Sequence, residues 1–392
     1  MSQQLFMGGG SPRIAIVAGE ASGDALGAAL VQVLSQRLPG AKFAGIAGPK
    51  MQSVGVYSAF PMEKLAVRGY LEVLKSLREL LAMRRQLKQM ILRERPDVLI
   101  GIDAPDFNLG LELAAKRAGI PTIHYVSPSI WAWRGERIHK IKRATSDVLC
   151  LFPFEKPLYD QVGANATYVG HPLADEIPLK PDRAAMRETL GLSQSSLIFA
   201  LLPGSRRSEL DFHAELFVQT ALRLNQRFPT AQFLVPLITR ETREQFETAL
   251  YRHGAHELPL RMMFGHAHDA MVAADAILVA SGTATLEAAL VKRPHVITYR
   301  LSNTTYRMVK KKMHLPYVGL PNVLAGRFLV PELLQDEATP ANLAQALANC
   351  VEDRHLVAAL VEKFEGLHES LRCNAAEKAA EAVMRHLQRG AA

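Results

Sequence analysis

Asp103 is the residue of this 392-residue sequence best placed to accept a proton. It directly follows the apolar run VLIGI at 98–102. A carboxylate at the end of a buried strand is partly desolvated, which raises its affinity for protons, as a general base requires. We therefore take Asp103 as the candidate base, although a purely structural role stays open. Asp106 and Asn108 lie where the next helix should begin, and capping is the favoured role for both.

Two further loops carry residues suited to binding phosphate. The first contains Gly204, Ser205 and Arg206, between the apolar run SLIFALL at 196–202 and a helical pattern. Glycine lets the backbone approach a ligand, the serine and the free amides of a helix start can hold phosphate oxygens, and arginine neutralises their charge. An ordinary turn with solvated arginines is the alternative.

The second phosphate-type loop contains Gly282 and Thr283, after the run DAILVAS at 275–281. Its amides can meet phosphate at the start of another helix. Glu287, one turn into that helix, can accept two hydrogen bonds from ribose hydroxyls. Two such loops in one half of the chain indicate a nucleoside diphosphate ligand.

Near the N-terminus, one more loop contains Glu20, Ser22, Gly23 and Asp24. It combines two carboxylates and a serine of the capping type in a tight turn that opens a helix. The G-x-G-x-x-G pattern is missing and no acidic residue follows the second strand, which disfavours a dinucleotide-binding dehydrogenase. A helix cap and turn without further function is the alternative.

Both tryptophans, Trp131 and Trp133, lie beside an arginine in the segment 124–134. Such aromatic side chains are costly to leave in water, so they should line a pocket or a cleft between domains. Stacking on a sugar and simple packing both remain open, with packing favoured.

Several kinds of site are missing from the sequence. There is no D-x-D, H-E-x-x-H or comparable metal-ligand spacing, so we expect neither a metal nor another cofactor. An anionic leaving group would then be stabilised by arginine and helix dipoles. The P-loop and G-x-S-x-G patterns are also absent. Cys150, Cys350 and Cys373 are far apart, which argues against a disulfide framework or zinc site and favours a reducing cytoplasm.

The elements that must position these loops are short apolar strands alternating with helical stretches. This pattern predicts an α/β fold with two doubly wound, Rossmann-like domains, since 392 residues are too many for one ordinary core. Ligands of such sheets bind beyond the carboxyl ends of the strands, where all of these loops fall. The Pro-rich segment 169–182 predicts the linker. We place one domain at 1–172, the second at 173–365, and a C-terminal helix at 366–392 that packs on the N-terminal domain.

Charge and hydropathy narrow the class of partner. Lysine and arginine outnumber acidic residues by 46 to 38, giving a net charge of +8, and 48% of the residues are hydrophobic. These values exclude a disordered chain and favour anionic partners, whether nucleic acid, phosphorylated small molecules or acidic lipids. No apolar run reaches the roughly 18 residues of a membrane-spanning helix, and the first residues do not form a secretory signal.

One predicted helix, from Tyr70 to Ile91, has an apolar face that includes Leu74, Leu77 and Leu81, with cations around it. The simpler interpretation is a surface helix packed on the sheet. The other is an interfacial helix whose leucines enter a bilayer while its cations bind anionic lipid, at about 1 kcal/mol per cation. Stacking aromatics between basic residues, as single-strand nucleic-acid binders need, are not evident.

A series of motifs in fixed order resembles the bacterial lipid-A-disaccharide synthase family. They are VAGEASGD (17–24), AGPKM (47–51), GIDAPDFN (101–108), HYVSPSIWAWR (124–134), FPFEKPLYD (152–160), LLPGSRRSE (201–209), ASGTATLE (280–287) and YVGLPNVLAGRFLVPELLQ (317–335). The resemblance implies a GT-B glycosyltransferase, with two Rossmann-like domains facing across a cleft. It further implies a metal-independent, inverting reaction that joins UDP-2,3-diacylglucosamine to 2,3-diacylglucosamine 1-phosphate and releases UDP.

The resemblance also implies roles for single residues. Asp103 matches the family's essential carboxylate, and its role as the base for the attacking 6-hydroxyl is our inference. The positions matching the UDP side are Gly204, Ser205, Arg206, Gly282, Thr283, Glu287 and Asn322, and those matching the acceptor side are Glu20, Ser22, Gly23, Asp24 and Asn108. Arg207 and Ser208 depart from the family pattern and add charge beside the phosphate loop.

Because both substrates implied by the resemblance carry acyl chains, the interfacial interpretation of the leucine-rich helix becomes the favoured one. We expect a cytoplasmic enzyme bound peripherally to the inner face of the inner membrane. Besides its substrates, we expect the enzyme to bind an anionic lipid surface and not nucleic acid. Formation of a homodimer stays open. The alternatives are a GT-B transferase with a soluble acceptor, a UDP-sugar epimerase, and a non-catalytic membrane- or nucleic-acid-binding module.

Overall fold

A computed structural model describes residues 4–6, 11–65, 70–133, 135–280, 282–311 and 313–390, without the side chains of 70–77 and 389–390. The chain divides into two compact units. Unit 1 comprises Met1–Asp175 and Leu371–Ala392, and unit 2 comprises Glu176–Ser370. The C-terminal segment thus belongs to the unit that contains the N-terminus.

Unit 1 is built on a parallel sheet of seven strands in the order β3-β2-β1-β4-β5-β6-β7. The strands are β1 (Arg13–Ala18), β2 (Lys42–Ile46), β3 (Tyr57–Ser58), β4 (Val98–Ile102), β5 (Thr122–Tyr125), β6 (Asp147–Cys150) and β7 (Thr167–Tyr168). Strand β4 is apolar throughout, and β1 is apolar after Arg13, because helices cover both faces of a doubly wound sheet. Ile102 at the end of β4 pairs with Ala18 of β1 and Tyr125 of β5, so the loops after these three strands meet at one edge.

The helices of unit 1 flank this sheet. They are α1 (Ala21–Arg37), α2 (Pro49–Ser53), α3 (Tyr70–Glu94), α4 (Pro105–Arg117), α5 (Arg137–Ala144), α6 (Glu155–Gln161) and α17 (Ala375–Gly390), with α7 (Pro172–Glu176) at the end of the first segment. The terminal helix α17 packs on α1, where Arg37 pairs with Glu377. The Asp175 carboxylate accepts from the amides of Asn374 and Ala375 and so caps α17.

Unit 2 repeats the architecture with a parallel sheet of six strands in the order β10-β9-β8-β11-β12-β13. The strands are β8 (Ile198–Leu202), β9 (Gln232–Leu237), β10 (Leu260–Phe264), β11 (Ala276–Ala280), β12 (His295–Tyr299) and β13 (Glu332–Leu334). The helices are α8 (Arg183–Thr189), α9 (Arg207–Arg227), α10 (Arg240–Arg252), α11 (Ala267–Ala273), α12 (Thr283–Leu290), α13 (Asn303–Lys310), α14 (Leu320–Ala325), α15 (Pro340–Glu352) and α16 (Arg354–Leu371). The prediction of two doubly wound α/β sheets is confirmed, although strands β3, β7 and β13 were not predicted.

None of the helices in the described ranges combines the length and the apolar character needed to cross a membrane.

Candidate active site

Asp103 lies immediately beyond β4, at the edge of the sheet where the loops of unit 1 converge. Asp103 and Ala104 both have a positive φ, at 49° and 43°, a conformation that costs side-chain-bearing residues about 1–3 kcal/mol each. The backbone is held there because the Asp103 amide donates to the Tyr125 carbonyl at 2.9 Å. Strain of this kind concentrates at functional positions, which agrees with the choice of Asp103 as the base.

The surroundings of Asp103 increase its proton affinity. Burial raises the pKa of its carboxyl, and the nearby charge of Glu20 adds to the rise. A hydrogen bond from the Ala104 amide and the positive charge of His124 oppose it without cancelling it. A raised pKa is what a carboxylate needs to take up a proton near neutral pH.

Asn108 does not cap the helix; its side chain instead holds the backbone of the strained turn at Asp103 and Ala104. Its buried Nδ2 donates to three carbonyl oxygens, those of Asp103 at 2.8 Å, Ile102 at 3.3 Å and Val17 at 3.4 Å. The cap position of α4 is occupied by Ala104, so the capping roles expected for Asn108 and Asp106 were wrong. Asn108 therefore positions Asp103 by tying the ends of β1 and β4 together.

A cavity of about 340 Å³ opens beside Asp103. Its other lining residues include Asp106, Ser127, Ser129, Trp133 and Arg137. Trp133 is 43% exposed and lines this cavity, whereas Trp131 packs edge-on against Phe154 with 5.4 Å between ring centroids. The packing role is therefore observed for Trp131, and sugar stacking by Trp133 stays a prediction.

Arg137 in this cavity was missed by the sequence analysis. It is the first residue of α5, and its Nη2 lies 2.8 Å from the Asp106 carboxylate. The basic composition of that helix, RIHKIKRA at 137–144, was the available signal. A pattern of cations alone does not say which of them reaches a cavity.

In the N-terminal loop, Asp24 has a structural role. Its buried carboxylate accepts hydrogen bonds from the amides of Gly48, Lys50 and Met51 at 2.9–3.0 Å, which caps α2. Helix α1 begins after Glu20, so Ser22 is an exposed residue of its first turn, and the interpretation of Ser22 as the cap was wrong. Of this loop, Glu20 interacts electrostatically with Asp103.

Gly23 packs against the ends of two strands at van der Waals distance. A Cβ added there would lie 3.4 Å from the side chains of both Ala18 and Ile102. This contact brings α1 against the ends of β1 and β4.

The loop after β8 has the glycine turn expected of a phosphate site, but its amides are engaged. Gly204 has a φ of 126°, and a Cβ on it would approach the Glu209 side chain to 2.6 Å. The amides of Ser205 and Arg206 donate to one Glu209 carboxylate oxygen at 2.8 and 3.2 Å. The expectation that both amides are free was therefore wrong, because the sequence analysis overlooked Glu209 as a capping residue at the N3 position of α9.

The loop after β11 lies next to the loop after β8, because Val279 of β11 pairs with Leu202 of β8. Gly282, with a φ of 139°, precedes α12, and Gly282 and Thr283 are exposed. The Glu287 carboxylate lies 2.9 Å from His268 Nδ1, a hydrogen bond that raises the pKa of His268. His268 was not predicted, since it comes from a different helix.

Asn322 is fully buried, and both ends of its amide are hydrogen-bonded within its own segment. Its Nδ2 donates to the Val330 carbonyl at 2.9 Å and to Glu332 at 2.8 Å, while its Oδ1 accepts from the amides of Leu329 and Val330. Asn322 thus shapes the segment around α14. A direct contact with UDP would require these bonds to be exchanged.

Unit 2 also contains an apolar cavity of about 530 Å³ beyond β12. Residues that line it include Tyr299, Leu301, Val309, Met313, Leu315 and Leu334. The ring centroids of Tyr299 and His213 are 5.2 Å apart. His213 Nδ1 is hydrogen-bonded to the Pro203 carbonyl oxygen at 3.0 Å. The cavity is therefore adjacent to the Gly204 loop.

The leucine-rich face of α3 is not uniform. Leu87 and Ile91 are buried in the core, whereas Leu81 is 47% exposed. The side chains of Leu74 and Leu77 lie outside the described residues. Among the described side chains, the apolar face expected from the sequence belongs to the core at Leu87 and Ile91, whereas Leu81 is exposed.

Within the described ranges, no three or more His, Cys, Asp or Glu side chains are grouped so that they could hold a metal ion.

Two solved structures share this architecture. UDP-GlcNAc 2-epimerase from Neisseria meningitidis bound to UDP-GlcNAc has a TM-score of 0.65 at 13% identity, covering 95% of this chain and 100% of that one. MurG from Acinetobacter baumannii has a TM-score of 0.60 at 16% identity, covering 95% and 99%. At such low identity the likeness concerns the fold alone, and the fold is that of the GT-B glycosyltransferases.

Sequence comparison then narrows the class to a family. Residues 14–383 match the family model described as lipid-A-disaccharide synthetase. The lipid-A-disaccharide synthase of Chromobacterium violaceum is 57% identical over 380 residues, covering 97% of this chain and 98% of the relative. The chain therefore belongs to the lipid-A-disaccharide synthase family and is a glycosyltransferase enzyme, which confirms the resemblance seen in the motifs.

Proposed function

We propose that this enzyme transfers the diacylglucosaminyl group of UDP-2,3-diacylglucosamine to the 6-hydroxyl of 2,3-diacylglucosamine 1-phosphate. The products are the β-1,6-linked disaccharide 1-phosphate and UDP. The observation that carries this proposal is the strained, partly buried Asp103 at the mouth of a sugar-sized cavity in a member of this family. Family membership supports the substrates, and the geometry of Asp103 supports the chemistry.

In the proposed reaction Asp103 accepts the proton of the 6-hydroxyl as the hydroxyl oxygen attacks the anomeric carbon. The bond from that carbon to the UDP oxygen breaks in the same step, so the configuration inverts. Arg206 and the N-terminal dipoles of α9 and α12 stabilise the charge that develops on UDP. Inversion requires the attacking hydroxyl and the leaving UDP to be on opposite faces of the glycosyl carbon. No metal ion or other cofactor takes part.

The donor would bind to unit 2. The loops at Gly204 and Gly282 lie side by side after neighbouring strands, which supports a diphosphate site there. Glu287 would bind the ribose hydroxyls, either together with His268 or in its place. The apolar cavity next to the Gly204 loop has the size and lining of a site for part of an acyl chain.

Peripheral binding to the inner face of the inner membrane is part of the proposal, because both substrates are acylated. The exposed Leu81 on α3 supports it. The cations Arg78, Arg85 and Lys88 on the same helix are exposed and could bind anionic lipid. A homodimer is compatible with the proposal and is not needed for it.

The test is to incubate the purified enzyme with both diacylated substrates and to detect the disaccharide and UDP by mass spectrometry, with and without EDTA. Asp103→Asn is expected to lower kcat by at least about 100-fold, since general-base catalysis contributes that much or more. Asp160→Asn, which removes an exposed carboxylate of α6, serves as the control. Turnover of UDP-GlcNAc without disaccharide would favour an epimerase instead.

The stereochemistry and the assignment of the units are tested separately. Proton NMR of the disaccharide should show the β-anomer. Calorimetry should give the same UDP affinity for Asp103→Asn as for the wild type, because we assign UDP to unit 2. Retained activity in Asp103→Asn, within about tenfold or 1.4 kcal/mol, would rule out Asp103 as the base.

A further inference from the structure

Arg137 is the cation among the described residues that line the Asp103 cavity. It begins helix α5, and its side chain is 21% exposed. The other polar lining groups include the carboxylates of Asp103 and Asp106 and the hydroxyl of Ser129. A positively charged group at a partly buried position in a sugar-sized cavity needs an anionic partner to offset its desolvation.

The carboxylate that now meets Arg137 is a weak and replaceable partner. Asp106 Oδ1 lies 2.8 Å from Arg137 Nη2, but the Asp106 side chain is 80% exposed. Ion pairs so open to water contribute only about 0–1 kcal/mol. Among the described residues Asp106 is the only acceptor recorded for this guanidinium, which has five N–H donors. An incoming anion could therefore take most of these donors, and Asp106 could turn into water at little cost.

We propose that Arg137 binds the 1-phosphate of the acceptor sugar and makes this cavity selective for a phosphorylated acceptor. The inference rests on the proposed function, which supplies an acceptor with a phosphate on C1 and a nucleophilic hydroxyl on C6. The phosphate on C1 and the hydroxymethyl group on C5 are carried by different ring carbons on either side of the ring oxygen, so their site needs a hydrogen-bond donor for the anion and a base at separate places. Arg137 and Asp103 provide these two groups in one cavity.

Arginine suits this task better than lysine would. Its planar fork donates two parallel hydrogen bonds to a phosphate, and these charge-assisted bonds are stronger than neutral ones. The exposed Trp133 also lines this cavity and would supply an apolar surface for the sugar ring. The 6-hydroxyl would then be held near Asp103 by the anchored phosphate.

The experiment compares two acceptors with one donor. For wild type, Arg137→Ala and Arg137→Lys, kcat/KM is measured for 2,3-diacylglucosamine 1-phosphate and for 2,3-diacylglucosamine, which lacks the phosphate. Hydrogen bonds to a charged group are worth about 1.5–3 kcal/mol, so Arg137→Ala should lower the ratio of the two values by at least about tenfold. The loss should appear in KM for the phosphorylated acceptor, with KM for the donor unchanged. Arg137→Lys should fall in between.

Arg143→Ala is the matched control, because it removes an exposed arginine from the same helix. A ratio that falls less than tenfold in Arg137→Ala, or equal losses for both acceptors, would overturn the inference and leave Arg137 a structural residue. If wild type turns over the unphosphorylated acceptor too slowly to measure, calorimetric binding of the two acceptors replaces the ratio. A wild-type enzyme that forms no disaccharide from the phosphorylated acceptor would instead refute the proposed function.

A second variant changes Asp106, the present partner of Arg137. Asp106→Asn removes the competing charge, so KM for the phosphorylated acceptor should fall while the value for the unphosphorylated acceptor changes less. A higher KM for the phosphorylated acceptor in Asp106→Asn would contradict the exchange of partners.

Discussion

Glu112 Oε1 and His124 Nδ1 lie 2.7 Å apart, and both side chains are fully buried. Gly101 of β4, which pairs with His124 of β5, makes room for this contact, because a Cβ there would lie 2.2 Å from Glu112 Oε1. The pair therefore lies against β4 at Gly101, two residues before Asp103. Burial by itself would lower the pKa of His124, but the Glu112 and Asp103 carboxylates outweigh it and raise that pKa.

Replacing Glu112 by Gln should change the pH dependence of the reaction. Without the Glu112 carboxylate, only the Asp103 charge opposes the effect of burial, so the pKa of His124 should fall and His124 should carry less positive charge. The positive charge of His124 holds down the pKa of Asp103, so its loss raises that pKa further. Because the reaction needs Asp103 deprotonated, the acidic limb of the kcat/KM profile should move to higher pH.

His124→Gln removes the same charge directly and should move the acidic limb in the same direction. The groups that act on the Asp103 carboxyl are His124, Glu20 and the Ala104 amide, and neither variant alters the last two. Circular dichroism at each pH separates a titration effect from unfolding. An acidic limb that stays in place in both folded variants would show that the buried pair does not tune Asp103.

The sequence predicted the fold because its physical signal is local. Strands such as β4 and β11 are buried on both faces and appear as continuous apolar runs, and the residue after each strand must lie at the ligand-binding edge. Asp103, Gly204 and Gly282 could be found in this way from position alone. The same rule cannot say which of their atoms are already engaged.

The residues that the sequence missed or misassigned depend on contacts between distant positions. Arg137 and Asp106 are 31 positions apart in the sequence, and Glu112 and His124 are 12 positions apart. Asp24 and Asn322 carry the residue types of a ligand site, yet their polar atoms bind backbone groups of their own unit and, for Asn322, also the Glu332 carboxylate. Glu209 was detectable, since its spacing from Arg206 is that of a capping box.

Asp24 is expected to matter for stability. Asp24→Ala leaves three amides at the start of α2 without their acceptor, in a buried setting. Leaving buried donors unpaired costs about 1–3 kcal/mol, so urea unfolding should show a loss of about that size or more. Ser22→Ala, an exposed change in the same loop, should stay within about 0.5 kcal/mol of wild type. Equal stability of the two variants would show that the cap is not needed.

The apolar cavity of unit 2 should determine how well the acylated donor binds. Leu301→Trp places a larger side chain in the lining, which would raise KM for UDP-2,3-diacylglucosamine and leave the affinity for free UDP unchanged. Met308→Trp adds the same volume on α13 at a 57% exposed position outside the cavity lining and is the control. A donor KM that does not respond to Leu301→Trp would place the acyl chain elsewhere.

Helix α3 should be the part of the chain that contacts the bilayer. The triple variant Leu74→Ser, Leu77→Ser, Leu81→Ser removes apolar side chains that would each contribute about 1.5–3 kcal/mol when fully buried in lipid. We expect it to shift the protein from the pellet to the supernatant when it is sedimented with vesicles of phosphatidylethanolamine and phosphatidylglycerol. Leu87 and Ile91 must be left unchanged, because they belong to the core.

The control for this experiment changes apolar residues of unit 2 that are about as exposed as Leu81. Ile238 is 54% and Leu356 is 40% exposed, comparable with 47% for Leu81. Ile238→Ser with Leu356→Ser should leave the protein in the pellet, since neither lies on α3. If attraction between the +8 chain and anionic lipid were sufficient, both variants would stay in the pellet and 0.5 M NaCl would release wild type completely. Partial retention of wild type in high salt, lost in the α3 variant, is the result that requires leucines in the bilayer.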